Sequence, residues 1–391
     1  MLWYSLGVIS IGTSKILLMQ GADAVAGVPP LFLTLQQLII GCSLLRFMLH
    51  IRFLGSSGLQ PWPDPSAVST DATSNRHRYN FSGKQQNGAR GGRAKGVSGF
   101  QAAVKDALPS TLQPNLLMAG VYFTFGFLMT NYGFSTSSAA FVETIKAAEP
   151  LTSASVAVLW GIEVLSQAET ASLGVIVAGV LLSTLGNANT AGEAPASTVA
   201  ENVQACVIVM SANLCFSFRG LYQKLFRAST EGNAQVVDDI NLQYRMQQIG
   251  AAILVVPVLL LETPTILRLL WALSTSQKGW TTIGAVWQYL SLALVNGCAF
   301  AGYNLASTFI LSRISVVHHA ALNCLRRIFA IIVTSIIFAI PMTLMGAFGI
   351  AVSVGGFMSF THYKIQRQRQ PTPLSSLLPV SAAPSNGRGY P

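Results

Sequence analysis

Charged side chains are scarce in this chain: Asp, Glu, Lys and Arg make up 10% of its 391 residues, whereas hydrophobic residues make up 51%. A soluble globular domain carries about 25% charged residues, so the composition excludes an ordinary soluble domain. We therefore predict an integral membrane protein that is embedded in a lipid bilayer.

Clusters of metal-binding or nucleophilic residues are also lacking. The cysteines stand singly within apolar runs, at Cys42, Cys206, Cys215, Cys298 and Cys324. Their spacing indicates neither a zinc site nor a disulfide framework, and we interpret them as small buried side chains. The apolar segments contain no acid cluster for a metal and no nucleophile beside a base, which disfavours a membrane-embedded enzyme. We expect no cofactor and no metal.

A net charge of +10 could indicate a protein that binds nucleic acid. The basic residues, however, lie mostly between the apolar runs and near the C-terminus, which is typical of membrane topology signals. We therefore expect no nucleic-acid partner.

The apolar runs predict an all-α membrane protein with about ten transmembrane helices in two five-helix repeats. Each run is long enough to cross roughly 30 Å of hydrocarbon at about 1.5 Å per residue. The predicted spans are 2–20, 29–50, 113–132, 135–160, 170–187, 202–224, 243–262, 283–308, 312–338 and 341–362.

The chain divides into membrane segments and polar segments. The polar insert and the C-terminal tail cannot bury enough apolar surface to fold alone, so we expect them to be disordered. Their excess of Lys and Arg favours the cytosol, which places both termini there. The divisions are 1–53 for helices 1–2, 54–112 for the insert, 113–187 for helices 3–5, 188–201 for a linker, 202–362 for helices 6–10 and 363–391 for the tail.

Arg326 and Arg327 lie inside the ninth predicted span. Placing each charge at bilayer depth costs at least about 2.5–3.5 kcal/mol on insertion scales. Helical geometry sets the two side chains roughly 100° apart, so both can face a common cavity. We expect an anion, from the protein or from a ligand, to meet them there.

Lys146 lies in the fourth predicted span, with Glu143 three residues before it and Glu149 three residues after it. On a continuous helix these side chains share one face. They form either an ion-pair ladder or a site in which Lys146 meets an anionic substrate and a glutamate acts as its charge partner or gate. Pro150 indicates a bend nearby.

Other polar residues in the spans admit two interpretations. Tyr303, on the helix before the arginine pair, either lines a site or packs and anchors the helix. We interpret Arg219 and Lys224 as anchors that reach the cytosolic surface. For His318 and His319 we expect capping or packing rather than metal binding.

At this point the sequence resembles a known family. NCLRRIFAIIVTSIIF and LMGAFGIAVSVGGFMSFTHYK are similar to the closing helices of triose-phosphate and sugar-phosphate translocators, which belong to the drug/metabolite transporter superfamily. Thr130–Asn131 followed by KAAEP (146–150) resembles the third and fourth helices of that family. WYSLGVISIGTSKIL and SANLCFSFRGLYQK resemble its first and sixth helices.

The resemblance implies the drug/metabolite transporter fold and an antiporter that exchanges a phosphorylated metabolite for inorganic phosphate by alternating access. It assigns the phosphate contacts to Thr130, Lys146, Tyr303, Arg326 and Arg327. This chain departs from the family pattern at three places. Arg326-Arg327 stands where the family usually has Lys-Arg, Phe127 stands where plastid members have a histidine, and Glu143 closes a Phe-Val-Glu run where many members read Phe-Thr-His.

Alternatives remain at the level of sequence. The related nucleotide-sugar transporters of the Golgi or endoplasmic reticulum exchange for a nucleotide monophosphate. A non-transporting regulatory or structural role is a further possibility. No cleavable leader is evident before Trp3, so we expect the Golgi or endomembrane, or a plastid-bounding membrane. The sequence identifies neither the phosphorylated substrate nor the oligomeric state.

Overall fold

A computed structural model provides the structure of this chain. It describes residues 2–19, 27–62, 112–136, 139–146, 148–161, 164–188, 199–230, 237–267, 271, 279–337 and 343–369.

The described part of the chain is built from helices, and no strand occurs in it. The helices are α1 Leu2–Met19, α2 Pro30–His50, α3 Pro114–Thr136, α4 Ala139–Lys146, α5 Glu149–Leu159, α6 Gln167–Ala188, α7 Val199–Thr230, α8 Asp239–Pro257, α9 Gly279–Leu311, α10 Val316–Ile337 and α11 Leu344–Arg369. A 3₁₀ turn, Phe53–Gly55, follows α2, and a π-helical turn, Val258–Glu262, continues α8.

The all-α prediction is confirmed, and each predicted span coincides with helix in the described residues. Five of the helices are by themselves long and apolar enough to cross a bilayer. Most predicted boundaries differ from the helix ends by a few residues, and two differences change the description of the bundle. The fourth span is divided into α4 and α5, and α11 continues to Arg369, past the predicted end at 362. The backbone hydrogen bonds of a helix are internal, so a helix can continue beyond the apolar stretch into its polar flank.

Helix packing follows a two-fold pattern between the first five spans and the last five. The third span packs on the sixth (α3 on α7), and correspondingly the eighth packs on the first (α9 on α1). The second span packs on the eighth, and the seventh packs on the third. Three further pairs, α2 with α8, α5 with α10 and α6 with α11, join equivalent spans of the two halves, so exchanging the halves leaves each pair unchanged. The interface between the halves thus runs through the centre of the bundle.

Small residues bring α6 and α11 into close contact. A Cβ added to Gly179 would lie 2.7 Å from the Gly349 carbonyl oxygen, and one added to Gly356 would lie 2.9 Å from the Ile176 nitrogen. Such approach of two backbones is how small residues join helices in membranes. This pair holds the fifth and tenth spans together beside the central helices.

The start of the insert predicted at 54–112 is ordered. The backbone N–H and the hydroxyl of Ser57 donate to the Asp238 carboxylate at 3.2 and 3.0 Å. The Arg245 guanidinium lies 4.4 Å from the centre of the Trp62 ring. The insert as a whole contains too few apolar residues to fold alone, but its first residues are held in place by these contacts with the beginning of α8. The prediction of disorder from residue 54 is therefore wrong for the residues up to 62, and almost all of the remainder lies outside the described residues, as does the tail after residue 369.

Basic side chains gather at the end of the bundle where α2, α7, α9 and α11 finish. Several of them tie neighbouring helices together: the guanidinium of Arg227 pairs with Asp239, and Lys364 donates to Ser315 at 3.2 Å. The basic side chains at this end include Arg52, Arg227, Arg313, Lys364 and Arg367. This is the same end on which an even number of spans places both termini.

Candidate functional site

A cavity lies between the two halves of the bundle. Helices α1 to α5 line it from the first half, and α7, α9 and α10 line it from the second. Transporters that are built from repeats bind their substrates at such an interface. The buried charged side chains that line it are Lys146, Glu149, Arg219 and Arg326.

The division of the fourth span places two of these charges at helix ends. Lys146 is the last residue of α4, and Glu149 is the first residue of α5. Pro150 occupies the first turn of α5, where its missing N–H costs nothing. The fourth span is therefore not one continuous helix, although Lys146 and Glu149 both line the cavity.

Lys146 reaches from α4 to α3. Its Nζ donates to the Thr130 hydroxyl at 3.4 Å and lies 5.3 Å from the centre of the Phe216 ring. The side chain is 6% exposed. An ammonium that is buried against a hydroxyl and an aromatic face keeps its positive charge directed into the cavity.

Arg326 lies on α10, and its guanidinium lies 4.9 Å from the centre of the Tyr303 ring on α9. That ring in turn stacks on Trp3 of α1, with the ring centres 6.2 Å apart. Although Arg326 is only 4% exposed, its Nε has no hydrogen-bond partner among the described residues. A buried guanidinium without an acceptor is costly, so this group is suited to bind an anion.

Arg219 is a third cation of the cavity, and the sequence-based interpretation of it as a surface anchor is wrong. Its side chain is 7% exposed and points inward. Its guanidinium donates to the Asn304 amide oxygen at 3.3 Å and to the Thr308 hydroxyl at 3.4 Å. It also lies 4.7 Å from the centre of the Phe123 ring. Neutral acceptors from α9 hold the guanidinium here, so it does not have to reach the membrane surface.

Glu149 is the acidic residue among the described side chains that line the cavity. Its Oε1 accepts a hydrogen bond from the Asn323 amide of α10 at 3.0 Å. This bond crosses from the first half of the bundle to the second. With three buried cations and one carboxylate, the described lining carries an excess of two positive charges.

Neutral amides form another part of the lining. The Gln37 amide nitrogen donates to the Ser14 hydroxyl at 3.0 Å and to the Asn296 oxygen at 2.9 Å. The Asn131 amide donates to the Thr34 hydroxyl at 2.9 Å and to the Gln37 oxygen at 3.0 Å. This buried network joins α1, α2, α3 and α9, and we refer to these five residues as the amide wall; Ser14, Gln37 and Asn131 are its members that line the cavity.

Phenylalanine rings form an aromatic wall, which consists of Phe127, Phe216 and Phe300. Phe127 packs edge-to-face against the other two, with ring centres 4.9 Å and 4.7 Å apart. The position at which plastid members of the resembled family have a histidine is thus occupied by an apolar part of the cavity wall.

The predicted site residues have three outcomes. Thr130, Lys146, Tyr303 and Arg326 come together in one cavity, and Glu149 joins them. Glu143 is half-buried on α4, outside the set of described side chains that line the cavity. Arg327 lies on α10, but its side chain is outside the described part of the structure. Their roles in binding remain predictions.

Several lining residues were not predicted from the sequence as part of a site. His319 bonds to the Ser307 hydroxyl at 2.9 Å and packs on Trp3 at 5.5 Å between ring centres. Asn323 and Arg219 complete the polar contacts between the halves. The only signal that could have indicated Asn323 is its position three residues before Arg326, on the same helix face.

Comparison with known proteins adds a family match. Residues 97–361 match the model of the Triose-phosphate Transporter family. The chain is 28% identical over 245 residues to phosphoenolpyruvate/phosphate translocator 3, chloroplastic, of Oryza sativa subsp. japonica, which covers 61% of this chain and 55% of the relative. It is 23% identical over 270 residues to the triose phosphate/phosphate translocator, chloroplastic, of Zea mays, which covers 69% and 59% respectively. The chain thus spans little more than half the length of these relatives.

A solved crystal structure of another protein has a similar fold. It superposes with a TM-score of 0.53 and covers 94% of this chain and 98% of its own. At 14% sequence identity, this likeness concerns the fold alone.

Proposed function

The chain belongs to the Triose-phosphate Transporter family, and we propose that it is an antiporter that exchanges a phosphorylated metabolite for inorganic phosphate across a membrane. Translocators for triose phosphate and for phosphoenolpyruvate are among its relatives. By analogy with these relatives, we propose that this chain exchanges a small organic phosphate on one side of the membrane for inorganic phosphate on the other. Membership of a transporter family supports transport rather than enzymatic catalysis.

The observation that carries the proposal is the excess of two positive charges in a buried cavity between the halves. A phosphate monoester carries about −1.5 to −2 charges at pH 7, so its charge matches that excess. Guanidinium groups bind phosphate through paired hydrogen bonds, whereas an ammonium acts as a point charge. The cavity provides both kinds of group.

We assign the phosphate to Thr130, Lys146, Tyr303, Arg326 and Arg327. Lys146 and Arg326 approach the cavity from opposite halves of the bundle, so a phosphate between them would bridge the halves. The Thr130 hydroxyl, which lies 3.4 Å from the Lys146 Nζ, would share that anion. Arg219 adds a third positive charge to the same cavity and extends the proposed site beyond the predicted set.

Exchange rather than one-way flux follows from the cost of the empty site. Closing the cavity around an excess of positive charge removes that charge from water without supplying an anion, so the empty carrier closes unfavourably. A bound anion lowers this cost each time the carrier changes between its two conformations. Glu149 is the proposed charge partner when no phosphate is present, and Glu143 is kept as a second candidate for that role.

We propose an organelle membrane as the location, with both termini in the cytosol. The basic end of the bundle supports this orientation through the positive-inside rule. Relatives described as chloroplastic favour a plastid-bounding membrane over the Golgi or endomembrane.

The proposal is tested by uptake of labelled phosphate into proteoliposomes that contain the purified full chain. The vesicles are preloaded in turn with phosphate, a triose phosphate, phosphoenolpyruvate, a hexose phosphate or a nucleoside monophosphate. We expect internal phosphate and at least one phosphorylated metabolite to stimulate uptake strongly over vesicles without an internal anion. The double variant Arg326→Ala, Arg327→Ala should lose this uptake at normal expression.

Two outcomes would contradict the proposal. Equal uptake with and without an internal anion would exclude exchange. Uptake of nucleotide sugars that is driven only by an internal nucleoside monophosphate, with phosphate ignored, would assign the chain to the nucleotide-sugar alternative.

A further inference from the structure

The amide oxygen of Asn323 is a buried acceptor in the cavity lining that no donor of the protein satisfies. The side chain lines the cavity from α10 and is 4% exposed. Its amide nitrogen donates to the Glu149 Oε1 at 3.0 Å, whereas its Oδ1 has no hydrogen-bond partner among the described residues. A buried acceptor without a donor is costly, so this oxygen is suited to receive a donor from a bound molecule.

Glu149 determines which end of the Asn323 amide is left for a ligand. An ionised carboxylate can only accept hydrogen bonds, so the amide nitrogen has to turn toward it. The amide oxygen is then held on the other branch of the side chain. Asn323 is therefore presented to the cavity as an acceptor, although its other neighbours in the proposed site are cations.

Arg326 supplies the complementary donor. It follows Asn323 by three residues on α10, so the two side chains share one helix face. Its Nε is also buried and has no partner among the described residues. An unsatisfied donor and an unsatisfied acceptor thus lie one turn apart beside the proposed phosphate position.

Hydrogen phosphate matches both groups at once. The dianion of inorganic phosphate has charged oxygens that accept hydrogen bonds and a P–OH group that donates one. Sulfate has the same tetrahedral shape and the same charge, but all of its oxygens are acceptors only. Sulfate would therefore satisfy Arg326 and leave the Asn323 Oδ1 facing another acceptor.

We propose that the Asn323 Oδ1 accepts a hydrogen bond from the P–OH group of bound hydrogen phosphate, and that this contact makes the carrier select phosphate over sulfate. The inference rests on the proposed phosphate exchange and names a further specificity-determining residue of that same site. A site that pairs a hydroxyl rejects an analogue that lacks it, because the buried partner of that hydroxyl is left unsatisfied.

The selectivity is measured against exchange of labelled phosphate for internal phosphate, in proteoliposomes that contain the full chain. External sulfate and unlabelled phosphate are compared as inhibitors at about pH 8, where each carries about two negative charges. We expect the inhibition constant of sulfate to be at least about tenfold higher than that of phosphate. A hydroxyl on the carbon chain of a phosphate ester could donate to the same oxygen. Neither probe contains carbon, so the ratio of the two constants reports on the P–OH group.

Two variants assign the selectivity to the Asn323 oxygen. Asn323→Leu has a similar shape and no acceptor, so it should bind phosphate more weakly and reduce the ratio to about threefold or less. Glu149→Gln leaves Asn323 in place but allows its amide to turn over, because a glutamine amide donates as well as accepts. The Asn323 nitrogen can then donate to sulfate, so this ratio should also fall to about threefold or less. The lost charge of Glu149 affects both dianions alike and cancels in the ratio.

Ser153→Ala is the matched control. Ser153 is buried and lines the same cavity, and its hydroxyl is hydrogen-bonded to that of Ser217 at 3.0 Å. The substitution removes a polar group from the lining and leaves the Asn323 amide and its bond to Glu149 intact. The ratio should therefore stay near that of the unmodified chain, whereas a general loosening of the cavity would lower it in this variant as well.

The outcomes separate the two levels of the proposal. If phosphate exchange is present but sulfate inhibits as strongly as phosphate, the selectivity inference is wrong and the proposed function stands. The same holds if either Asn323→Leu or Glu149→Gln keeps the ratio of the unmodified chain, or if Ser153→Ala loses it equally. If no phosphate exchange occurs with correctly folded protein, the proposed function fails and the inference fails with it.

Discussion

The guanidinium of Arg326 lies 4.9 Å from the centre of the Tyr303 ring, and no carboxylate among the described residues pairs with it. The other two cations of the cavity also lie over aromatic rings, at 5.3 and 4.7 Å from the ring centres. A cation–π contact contributes about 0.5–2 kcal/mol without neutralising the charge. The rings thus help to hold the cations in place, and the described lining keeps its excess of positive charge for an anion.

Replacing Arg326 by Gln should abolish most phosphate exchange. The variant loses charge-assisted hydrogen bonds to a buried anion, which are worth about 2–5 kcal/mol, so the KM for phosphate should rise at least about thirtyfold. The measurement is uptake into proteoliposomes at matched protein content. Arg313→Gln is the control, because this arginine is 59% exposed at the basic end of the bundle. Equal losses in both variants would contradict a specific role for Arg326.

Replacing Arg219 by Gln should weaken transport by roughly tenfold or more, because the proposed site loses one of its three positive charges. Arg219→Lys keeps the charge and should recover part of the activity. Initial uptake rates over a range of phosphate concentrations check this. If both variants are as active as the unmodified chain, Arg219 serves only to hold Asn304 and Thr308.

Replacing Glu149 by Gln should lower both the KM for phosphate and the maximal rate, each by several-fold. The Asn323 amide can still donate to a glutamine oxygen, so the link between α5 and α10 is preserved while the negative charge is lost. An anion then binds more tightly and leaves more slowly. A raised KM would show that the carboxylate has a different function from a charge partner.

Replacing Gly7 by Ala should impair transport indirectly, through a displacement of Arg326. The added Cβ would lie 2.8 Å from the Arg326 Nη1, so the guanidinium must shift. Since small misplacements of a positioned group reduce its function strongly, we expect a loss of roughly tenfold. Gly12→Ala on the same helix is the control, because its Cβ would meet nothing within 4 Å. If the two variants transported equally well, transport would not depend on the exact position of the Arg326 guanidinium.

Replacing Gly179 by Ala should destabilise the fold. The new Cβ would overlap the backbone of α11 at Gly349 and Ser353, and overpacking of this kind costs about 1–3 kcal/mol. Thermal unfolding in detergent should therefore occur several degrees lower. Gly174→Ala on the same helix has open space and should leave Tm unchanged or slightly higher. An unchanged Tm for Gly179→Ala would mean that α6 and α11 separate easily.

Composition and the apolar runs were sufficient to predict the class of the molecule and the approximate positions of its spans. Long apolar runs in a chain with few charges have to be membrane helices, because backbone polar groups in lipid must be satisfied internally. A charged side chain at membrane depth is also costly unless it faces a polar cavity, so Lys146 and Arg326 could be recognised in the sequence as candidate site residues. Both residues indeed line one cavity.

The rest of the cavity lining could be recognised only from the packing of the helices. Arg219 lies near the end of its predicted span, 202–224, where a long side chain could reach either the surface or the interior. In the structure α7 continues to Thr230, and the acceptors on α9 that hold Arg219 inward are 85 and 89 residues away in the chain. The partner of Glu149, in contrast to the bend that Pro150 predicts, is also set by the tertiary structure, because Asn323 lies on α10. Contacts between distant helices leave no local pattern in a single sequence, so the direction of a polar side chain in a membrane helix becomes defined only when its neighbours are in place.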